Sequence, residues 1–255
     1  MFRDWLVLAV LIVRVAPAQA PAYTADGIVN ASDYSTGPFA PNSVLSIFGS
    51  NLSWYTQALS LSNAAVAVPT QMAGVQVYVD QWPAPLLYVS GSQINFLIPS
   101  GESPGNITVR VVRQGVRGPD VAIALVDGAP ALFDAGAGLA IATHADGSLL
   151  TEAAPGQPGE TVVVYVTGLG ATEPNPEAGE IPQFAAPIKF LSSLKISLDG
   201  AALSAGLVKY AGVTPGCVGL YQLNIELPQN VGIDPAIQVS VGAQSSTGFP
   251  KIAVR

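Results

Sequence analysis

The strongest constraint on the fold is an internal repeat. The segment Gly74–Pro99 recurs as Leu194–Pro228, and the two copies end in the similar strings QINFLIP and QLNIELP. A second match pairs PNSVLSIFGSNL, which starts at Pro41, with PGETVVVYVTGL, which starts at Pro158. Because repeated segments of this kind each form one structural unit, the sequence predicts two similar modules.

The spacing between matched residues widens along the chain. Asp199 follows Asp80 by 119 positions, and Gln222 follows Gln93 by 129 positions. One fold with loop insertions gives a drift in a single direction, whereas chance similarity would not. The repeat therefore indicates two copies of one topology.

The local pattern is that of an all-β protein. Short β-branched and aromatic runs are interrupted by 26 glycines and 21 prolines, and no long segment has apolar residues at helical spacing. This pattern is typical of an antiparallel sandwich. We therefore expect two tandem immunoglobulin-like β-sandwiches, at residues 22–128 and 129–255, after a signal peptide at residues 1–18.

Several strands can be predicted individually. Thr161–Thr167 is almost entirely apolar, which predicts a central strand covered on both faces. Lys195–Leu198 and Leu203–Lys209 flank an Asp-Gly pair, which predicts a hairpin between them. Lys251–Val254 is expected to be the last strand.

The N-terminus has the features of a secretory signal peptide. An apolar run, Leu6–Val13, is followed by small residues that predict cleavage after Ala18. The run is far shorter than the roughly 20 apolar residues of a membrane span. We therefore expect a secreted or extracellular protein without a transmembrane segment in the mature chain. A periplasmic or cell-surface location remains an alternative.

The charge excludes one class of partner. The formal net charge is −7, and only 11% of the residues are charged. Nucleic-acid binding needs a basic surface, so we expect no nucleic-acid partner. Arg110, Arg113 and Arg117 form the one basic cluster, which we interpret as a solvated strand edge.

Enzymatic and metal-binding motifs are not evident, and we expect no catalytic residues, cofactor or metal. His144 is the single histidine and lies in a turn-like stretch, while Cys217 is the single cysteine. One residue of each type cannot make a zinc site. Glu173, Glu177 and Glu180 lack the spacing of a calcium loop and are interpreted as a solvated acidic loop.

Glycoside hydrolysis would require two carboxylates facing each other across a cleft. Glu102, Asp120, Asp127 and Asp134 qualify by residue type, but their spacing selects no pair. Residues 136–138 read Gly-Ala-Gly without a third glycine or a following helix, so they are not a dinucleotide-binding loop.

Aromatic side chains in or near loops are the best candidates for ligand binding. Such residues can stack on a sugar ring, although they also close the ends of sandwich cores. The candidates are Trp54, Tyr55, Trp82, Tyr88 and Tyr221.

A repeated Gln-x-Asn lies beside two of these tyrosines. Gln93 and Asn95 form the first copy, and Gln222 and Asn224 form the second. Because both modules carry the pair, we favour hydrogen bonds to neighbouring backbone groups over ligand binding.

Five phrases together resemble a known family. They are GIVNASDYSTGPFAPNSVLSIFGSNL, PAPLLYVSGSQINFLIP, ADGSL, PGETVVVYVTGLG and YAGVTPGCVGLYQLNIELP, in that order. With these five phrases in this order, the chain is similar to the Solibacter-type C-terminal domain family of acidobacterial secreted proteins. The resemblance implies paired immunoglobulin-like modules of the IPT/TIG kind, and it supplies no catalytic residues.

The sequence favours a secreted, non-enzymatic interaction or adhesion protein. The loops Gly49–Gln71 and Gly168–Ser193 occupy equivalent places in the repeat, and long loops on a sandwich are commonly functional. The expected partner is a cell-surface or matrix protein, or a polysaccharide. A carbohydrate-binding module and a structural spacer or sorting domain are the alternatives, while a glycoside hydrolase is disfavoured.

Overall fold

The computed structural model describes residues 19–60 and 67–255. The predicted signal peptide at residues 1–18 lies outside the described residues, as do six residues of the predicted loop Gly49–Gln71. Strands make up 45% and helical turns 3% of the chain, which agrees with the expected all-β class, and the sheets are antiparallel. None of its helical turns has the length and apolar character needed to span a bilayer.

The described part of the first half (residues 22–60 and 67–128) has ten strands in two five-stranded sheets. The first sheet has the order β1-β2-β7-β6-β3, and the second has the order β10-β8-β4-β5 with β9 paired to β8. The strands are β1 (Ala22–Asn30), β2 (Val44–Ser50), β3 (Gln57–Ala58), β4 (Val75–Val79), β5 (Trp82–Ala84), β6 (Leu86–Val89), β7 (Gln93–Leu97), β8 (Gly105–Arg113), β9 (Val116–Arg117) and β10 (Val121–Leu125).

The second half (residues 129–255) repeats this order. One sheet is β11-β13-β17-β16 with β12 paired to β13, and the other is β15-β14-β18-β19. The strands are β11 (Ala131–Leu132), β12 (Ala142–Thr143), β13 (Thr161–Thr167), β14 (Leu194–Leu198), β15 (Ala201–Ala202), β16 (Val208–Val213), β17 (Tyr221–Glu226), β18 (Ile237–Val241) and β19 (Gln244–Ser245).

The two halves also share an irregularity. The pairing of β6 with β7 shifts register between Leu86 and Tyr88, and that of β16 with β17 shifts between Val208 and Tyr210. A bulge shifts the register of the strand that carries it. Its presence at the same point of both sheets therefore supports a shared topology.

Alternating side chains build one apolar core in each half. In β4 the three valines point inward and the two intervening residues are half-buried, as a period of two requires. One buried cluster takes its members from Tyr23 to Leu125, and the other takes its members from Leu132 to Val254. All members of the first cluster precede residue 128, and all members of the second follow it. The sequence predicts a module boundary at this residue.

Three strand predictions need correction. In β13 buried residues alternate with partly exposed ones, so only one face is fully covered. The predicted hairpin forms between β14 and β15, and the N–H of Leu203 still donates to the carbonyl of Ile196, but the second strand does not continue to Lys209. Ala205–Leu207 instead forms a helical turn, and β16 then joins the opposite sheet. Lys251–Val254 makes isolated bridges to Leu139 and other residues and does not form a regular strand.

Candidate functional site

The two halves meet through buried polar contacts at what we call the junction. Asn42, just before β2, donates its Nδ2–H to the hydroxyl of Tyr221 at 3.0 Å, and that hydroxyl donates to the carbonyl of Gly170. Thr167 donates to the carbonyl of Gly219 at 2.8 Å, which fixes the loop before β17. The end of the first sandwich therefore rests on loops of the second.

The long loop Gly168–Ser193 takes part in this junction. Ser100 donates its hydroxyl to the carbonyl of Pro176 at 2.5 Å, and Asn175 donates its amide to the carbonyl of Ser100 at 3.0 Å. The backbone N–H of Val68 donates to the carbonyl of Gly179 at 2.8 Å. The two predicted recognition loops thus contact each other, and part of their surface is used to hold the halves together.

A groove remains open beside these contacts, which we call the junction groove. Its volume is about 580 Å³, and one wall comes from each half. The wall of the first half consists of Trp82, Pro83, Pro99, Ser100, Gly101 and Glu102, and the wall of the second half consists of Asn175, Pro176, Glu177 and Ala178. The indole of Trp82 is 59% exposed, so one face is free to receive a ligand.

The turn before β5 places Trp82 at the groove. Asp80 adopts a left-handed conformation with φ +49°, and its carboxylate accepts the N–H of Thr108 at 2.7 Å. Asp and Asn tolerate this conformation better than most residues, which explains the tight turn. The β4–β5 hairpin therefore projects Trp82 from the rim of the sandwich.

The junction groove is acidic. Partial burial raises the pKa of Glu102, and the nearby carboxylate of Asp80 raises it further. Glu177 on the opposite wall adds another carboxyl group, and no Lys or Arg among the described residues lines the groove. The groove therefore combines an exposed aromatic face with acceptor groups and disfavours anionic ligands.

Trp54 and Tyr55 lie at the other end of the first half. Trp54 covers the guanidinium of Arg113, whose Cζ is 3.9 Å from the ring centroid. Arg113 pairs with Val75 at the start of β4, whereas Trp82 follows the end of β4. The separation is about four residues, or roughly 13 Å along the strand, so the three aromatic residues do not form one platform.

Arg113 also corrects the interpretation of the basic cluster. Its side chain is only 1% exposed and donates to the carbonyls of Asn51 and Gln19. Arg110 is ion-paired with Asp120 near the surface. The predicted solvated edge is therefore wrong at Arg113, which ties the N-terminal segment and the Trp54 loop to the sheet.

Tyr221 does not belong to a ligand platform. Its side chain is 0% exposed, and burial raises the pKa of its hydroxyl well above the ordinary value. Tyr221 shares a strand face with Leu223 and Ile225, which both point into the core. Tyr88 is half-buried beside Asn95 and faces away from the core.

The repeated amides bond to each other and not to the backbone. Gln93 donates to the Oδ1 of Asn95 at 2.9 Å, and Gln222 donates to the Oδ1 of Asn224 at 3.0 Å. Ser46 adds a second donor to Asn95 at 3.0 Å. Both Gln–Asn pairs therefore have a structural role, as the repeat suggests, but each Gln bonds to an Asn side chain and not to a backbone group.

The remaining reactive groups are engaged in local structure. His144 contacts the carboxylate of Glu160 at 2.5 Å, and this interaction raises the pKa of the imidazole. Burial raises the pKa of Cys217, which keeps its thiol protonated. Within residues 19–60 and 67–255, no three His, Cys, Asp or Glu side chains converge as metal ligands would.

Phe184 is the most exposed of several aromatic residues that the sequence did not indicate as candidates, which also include Tyr34 and Phe249. Phe184 lies on the loop that forms the second wall of the junction groove, and it is 83% exposed. It faces a separate depression of about 290 Å³ beyond Pro176. The sequence predicts a loop here, but it has no periodicity that would indicate which of its side chains are exposed.

Comparison with known proteins places a family domain in the first half. Residues 28–123 match the IPT/TIG domain, so an IPT/TIG domain is present in this chain. This agrees with the predicted type of module. No curated protein matches the chain.

Similar solved structures are distant. A surface glycan-binding protein from Prevotella bryantii is 11% identical, with a TM-score of 0.27, and the likeness covers 89% of this chain and 41% of that one. A protein from a xyloglucan utilization locus of Bacteroides uniformis is 12% identical, with a TM-score of 0.27 and coverages of 92% and 50%. Murine CEACAM1b is 9% identical, with a TM-score of 0.21 and coverages of 85% and 94%.

The chain spans half or less of the two bacterial proteins. All three TM-scores are low, so the function of this chain is argued from its own residues.

Proposed function

We propose that this chain is a secreted, non-enzymatic interaction protein built from two tandem sandwich modules, residues 22–128 and 129–255. Its binding surface is the junction groove, and its partner is a cell-surface or matrix protein. The observation that carries the proposal is the indole of Trp82, which stays 59% exposed in a groove of about 580 Å³ between two ordered walls.

The composition of the groove supports recognition of a partner. An exposed tryptophan supplies a large apolar area at a small loss of side-chain entropy, which makes it a frequent anchor of interfaces. Glu102 and Glu177 lie on opposite walls, where their carboxyl groups can accept hydrogen bonds from a ligand. The groove therefore offers both an apolar anchor and polar acceptors.

A second candidate function is carbohydrate binding at the same groove. Of the five aromatic candidates from the sequence, only Trp82 lines this groove. One indole flanked by hydroxyl, amide and carboxyl groups still suits a sugar ring, since the ring stacks on the indole and its hydroxyl groups bond to acceptors. The hydroxyl of Ser100 and the amide of Asn175 are already used in hydrogen bonds between the two halves. Glu102 and Glu177 are therefore the expected acceptors for a sugar.

Single-tryptophan variants test the proposal directly. After signal cleavage the chain contains Trp54 and Trp82, so Trp54→Phe leaves Trp82 as the fluorescent reporter and Trp82→Phe leaves Trp54. Both variants would be titrated with purified matrix proteins, cell-envelope proteins and soil polysaccharides. We expect a saturable change of emission in Trp54→Phe and none in Trp82→Phe.

The ligand panel also separates the two candidates. A protein ligand whose binding is unaffected by free oligosaccharide supports adhesion, whereas a polysaccharide that binds alone supports carbohydrate recognition. In either case Trp82→Ala should weaken binding by at least about tenfold, which corresponds to about 1.4 kcal/mol for a central aromatic anchor. Equal binding by the Trp82→Ala variant and the unmodified chain would refute the junction groove as the site.

A further inference from the structure

The junction groove carries negative charge that this chain does not compensate. Glu102 and Glu177 line opposite walls, and neither carboxylate has a hydrogen bond or an ion pair within residues 19–60 and 67–255. Partial burial and the carboxylate of Asp80 raise the pKa of Glu102, so its negative charge is unfavourable in the groove. A cation bound beside Glu102 would relieve this cost.

The indole of Trp82 is also without a cation. Two rings of the described chain have a positive charge over them, Trp54 and Phe190, and Trp82 is not one of them. The face of an indole attracts a cation more strongly than the face of any other aromatic side chain. An exposed indole in a groove lined by two carboxylates is therefore a favourable position for a positive charge.

The same chain shows how an arginine fits such a position. Arg113 holds its Cζ 3.9 Å from the ring centroid of Trp54, and its N–H groups donate to the carbonyls of Asn51 and Gln19. A guanidinium can therefore stack on an indole and donate to oxygen atoms around it at the same time. At Trp82 the available oxygen atoms belong to carboxylates, which are stronger acceptors than carbonyls.

A depression of about 290 Å³ adjoins the junction groove and has a similar lining. The groove and the depression share Asn175 and Pro176. Phe184, which is 83% exposed, and Glu180 line the depression, and none of the described Lys or Arg side chains does. Glu180 accepts the N–H of Glu177 at 3.0 Å through one oxygen, which leaves its other oxygen for a partner. An exposed ring and a carboxylate therefore occur twice along one surface.

The prolines of this surface make it poor in hydrogen-bond donors. Pro83, Pro99 and Pro176 line the groove, and Pro174 and Pro182 line the depression. Proline has no backbone N–H, and its ring gives an apolar surface on which the methylene stem of a long side chain can lie. A surface with acceptors, apolar rings and few donors matches arginine, which has five N–H donors, no acceptor and an apolar stem.

We propose, on the basis of the function proposed for the junction groove, that the partner is a protein with an exposed basic segment. An arginine of this segment stacks on Trp82 and pairs with the carboxylates that line the groove. The segment continues past Asn175 and Pro176, and a second basic residue meets Phe184 and Glu180. A neutral polysaccharide would leave these carboxylates uncompensated, so charge complementarity favours the basic segment over the carbohydrate candidate.

A hexa-arginine peptide with blocked ends is the probe for this site. Its binding would be followed by the emission of Trp82 in the Trp54→Phe variant, beside a hexa-lysine peptide and a hexa-citrulline peptide. Citrulline has nearly the shape of arginine but no charge. We expect saturable binding that is tightest for arginine, weaker for lysine and absent for citrulline, because only arginine combines the charge with a planar group that stacks.

Two double variants with the same net charge separate the groove from the overall negative charge of the chain. Glu102→Gln with Glu177→Gln neutralises the groove, whereas Asp26→Asn with Glu152→Gln neutralises two exposed carboxylates outside the groove and the depression. In the Trp54→Phe background, the groove variant should bind hexa-arginine at least about tenfold more weakly. The control variant should stay within about twofold, since exposed charges at a distance are screened.

The groove variant should fold, because both substitutions remove carboxylates without a hydrogen bond in the described chain. Its midpoint in urea should equal or exceed that of the unmodified chain, since the charge of Glu102 is unfavourable. Phe184→Ala tests the second contact. It should weaken hexa-arginine by about threefold and leave a peptide with a single arginine unaffected.

Four results would overturn the proposal. Equal losses in the two double variants would show attraction to the overall charge, and equal binding of citrulline and arginine would show that charge is not read. Emission changes with a neutral polysaccharide but not with hexa-arginine would exclude the basic partner and keep the junction groove as a binding site. No change of Trp82 emission with any protein, peptide or polysaccharide would refute the proposed function as well.

Discussion

Removing one hydroxyl group at the junction tests whether the two halves are energetically coupled. Tyr221→Phe deletes a fully buried group that donates to the carbonyl of Gly170 and accepts from Asn42. Both partners are buried, so both would be left without a replacement. A hydrogen bond contributes about 1 kcal/mol net, and each buried unsatisfied partner costs about 1–3 kcal/mol. We therefore expect a loss of about 2–4 kcal/mol in the free energy of unfolding.

Urea unfolding with two optical probes measures this loss. Trp54 and Trp82 both lie in the first half, so tryptophan fluorescence follows that half, while far-ultraviolet circular dichroism follows both. In the unmodified chain the coupled halves should give coincident transitions. In Tyr221→Phe the circular dichroism transition should fall to lower urea and separate from the fluorescence transition, because the second half no longer holds the first.

Two tyrosine variants serve as controls. Tyr165→Phe removes a hydroxyl without a hydrogen-bond partner among the described residues, and its stability should stay within about 0.5 kcal/mol of the unmodified chain. Tyr210→Phe removes bonds to Ala186 and Val213 within the second half. It should lower stability without uncoupling the two probes. A Tyr221→Phe variant that behaves like Tyr165→Phe would refute the reasoning.

Three further predictions concern stability. Arg113→Met should lower the free energy of unfolding by about 2–4 kcal/mol, measured in urea, because two carbonyl bonds and the stacking of Trp54 are lost. The contact of His144 with Glu160 raises the pKa of the imidazole. The stabilisation of the fold by this contact is therefore full below the ordinary pKa and is lost as pH rises through the raised value. Melting temperatures from pH 5 to 9 should show this loss in the unmodified chain and not in Glu160→Gln. Asp199→Ala should lower the melting temperature through the lost turn bond to a backbone N–H, while Asp199→Asn, which keeps an acceptor, should recover most of the difference.

The architecture follows from features that are local in sequence. Matched positions such as Asp80 and Asp199 predict equivalent turns, and the structure gives them the same backbone conformation and the same bond. Alternation in Val75–Val79 predicts a half-buried strand with these bounds. These predictions succeed because turn chemistry and side-chain alternation act over a few residues.

The composition of the candidate site was harder to predict. Tyr221 was chosen because it is aromatic and lies next to a loop, but its alternation with Leu223 and Ile225 already indicated an inward side chain. Arg113 likewise alternates with Val111, and the structure buries both. In each case residue type suggested exposure while the period of the strand indicated burial, and the period was the better guide.

The two predicted recognition loops have different environments. The loops Gly49–Gln71 and Gly168–Ser193 are equivalent in the repeat, so the sequence treats them alike. In the structure the second loop lies against the first half, since Ser100 donates to Pro176 and Val68 donates to Gly179. At the start of the first loop, Trp54 and Tyr55 are exposed.

This asymmetry is a consequence of repetition itself. A repeat that stacks on its copy carries both a docking loop and an acceptor end, and each internal junction uses one of each. The junction uses the second loop together with the end of the first half, so equivalent positions of the repeat have unequal environments.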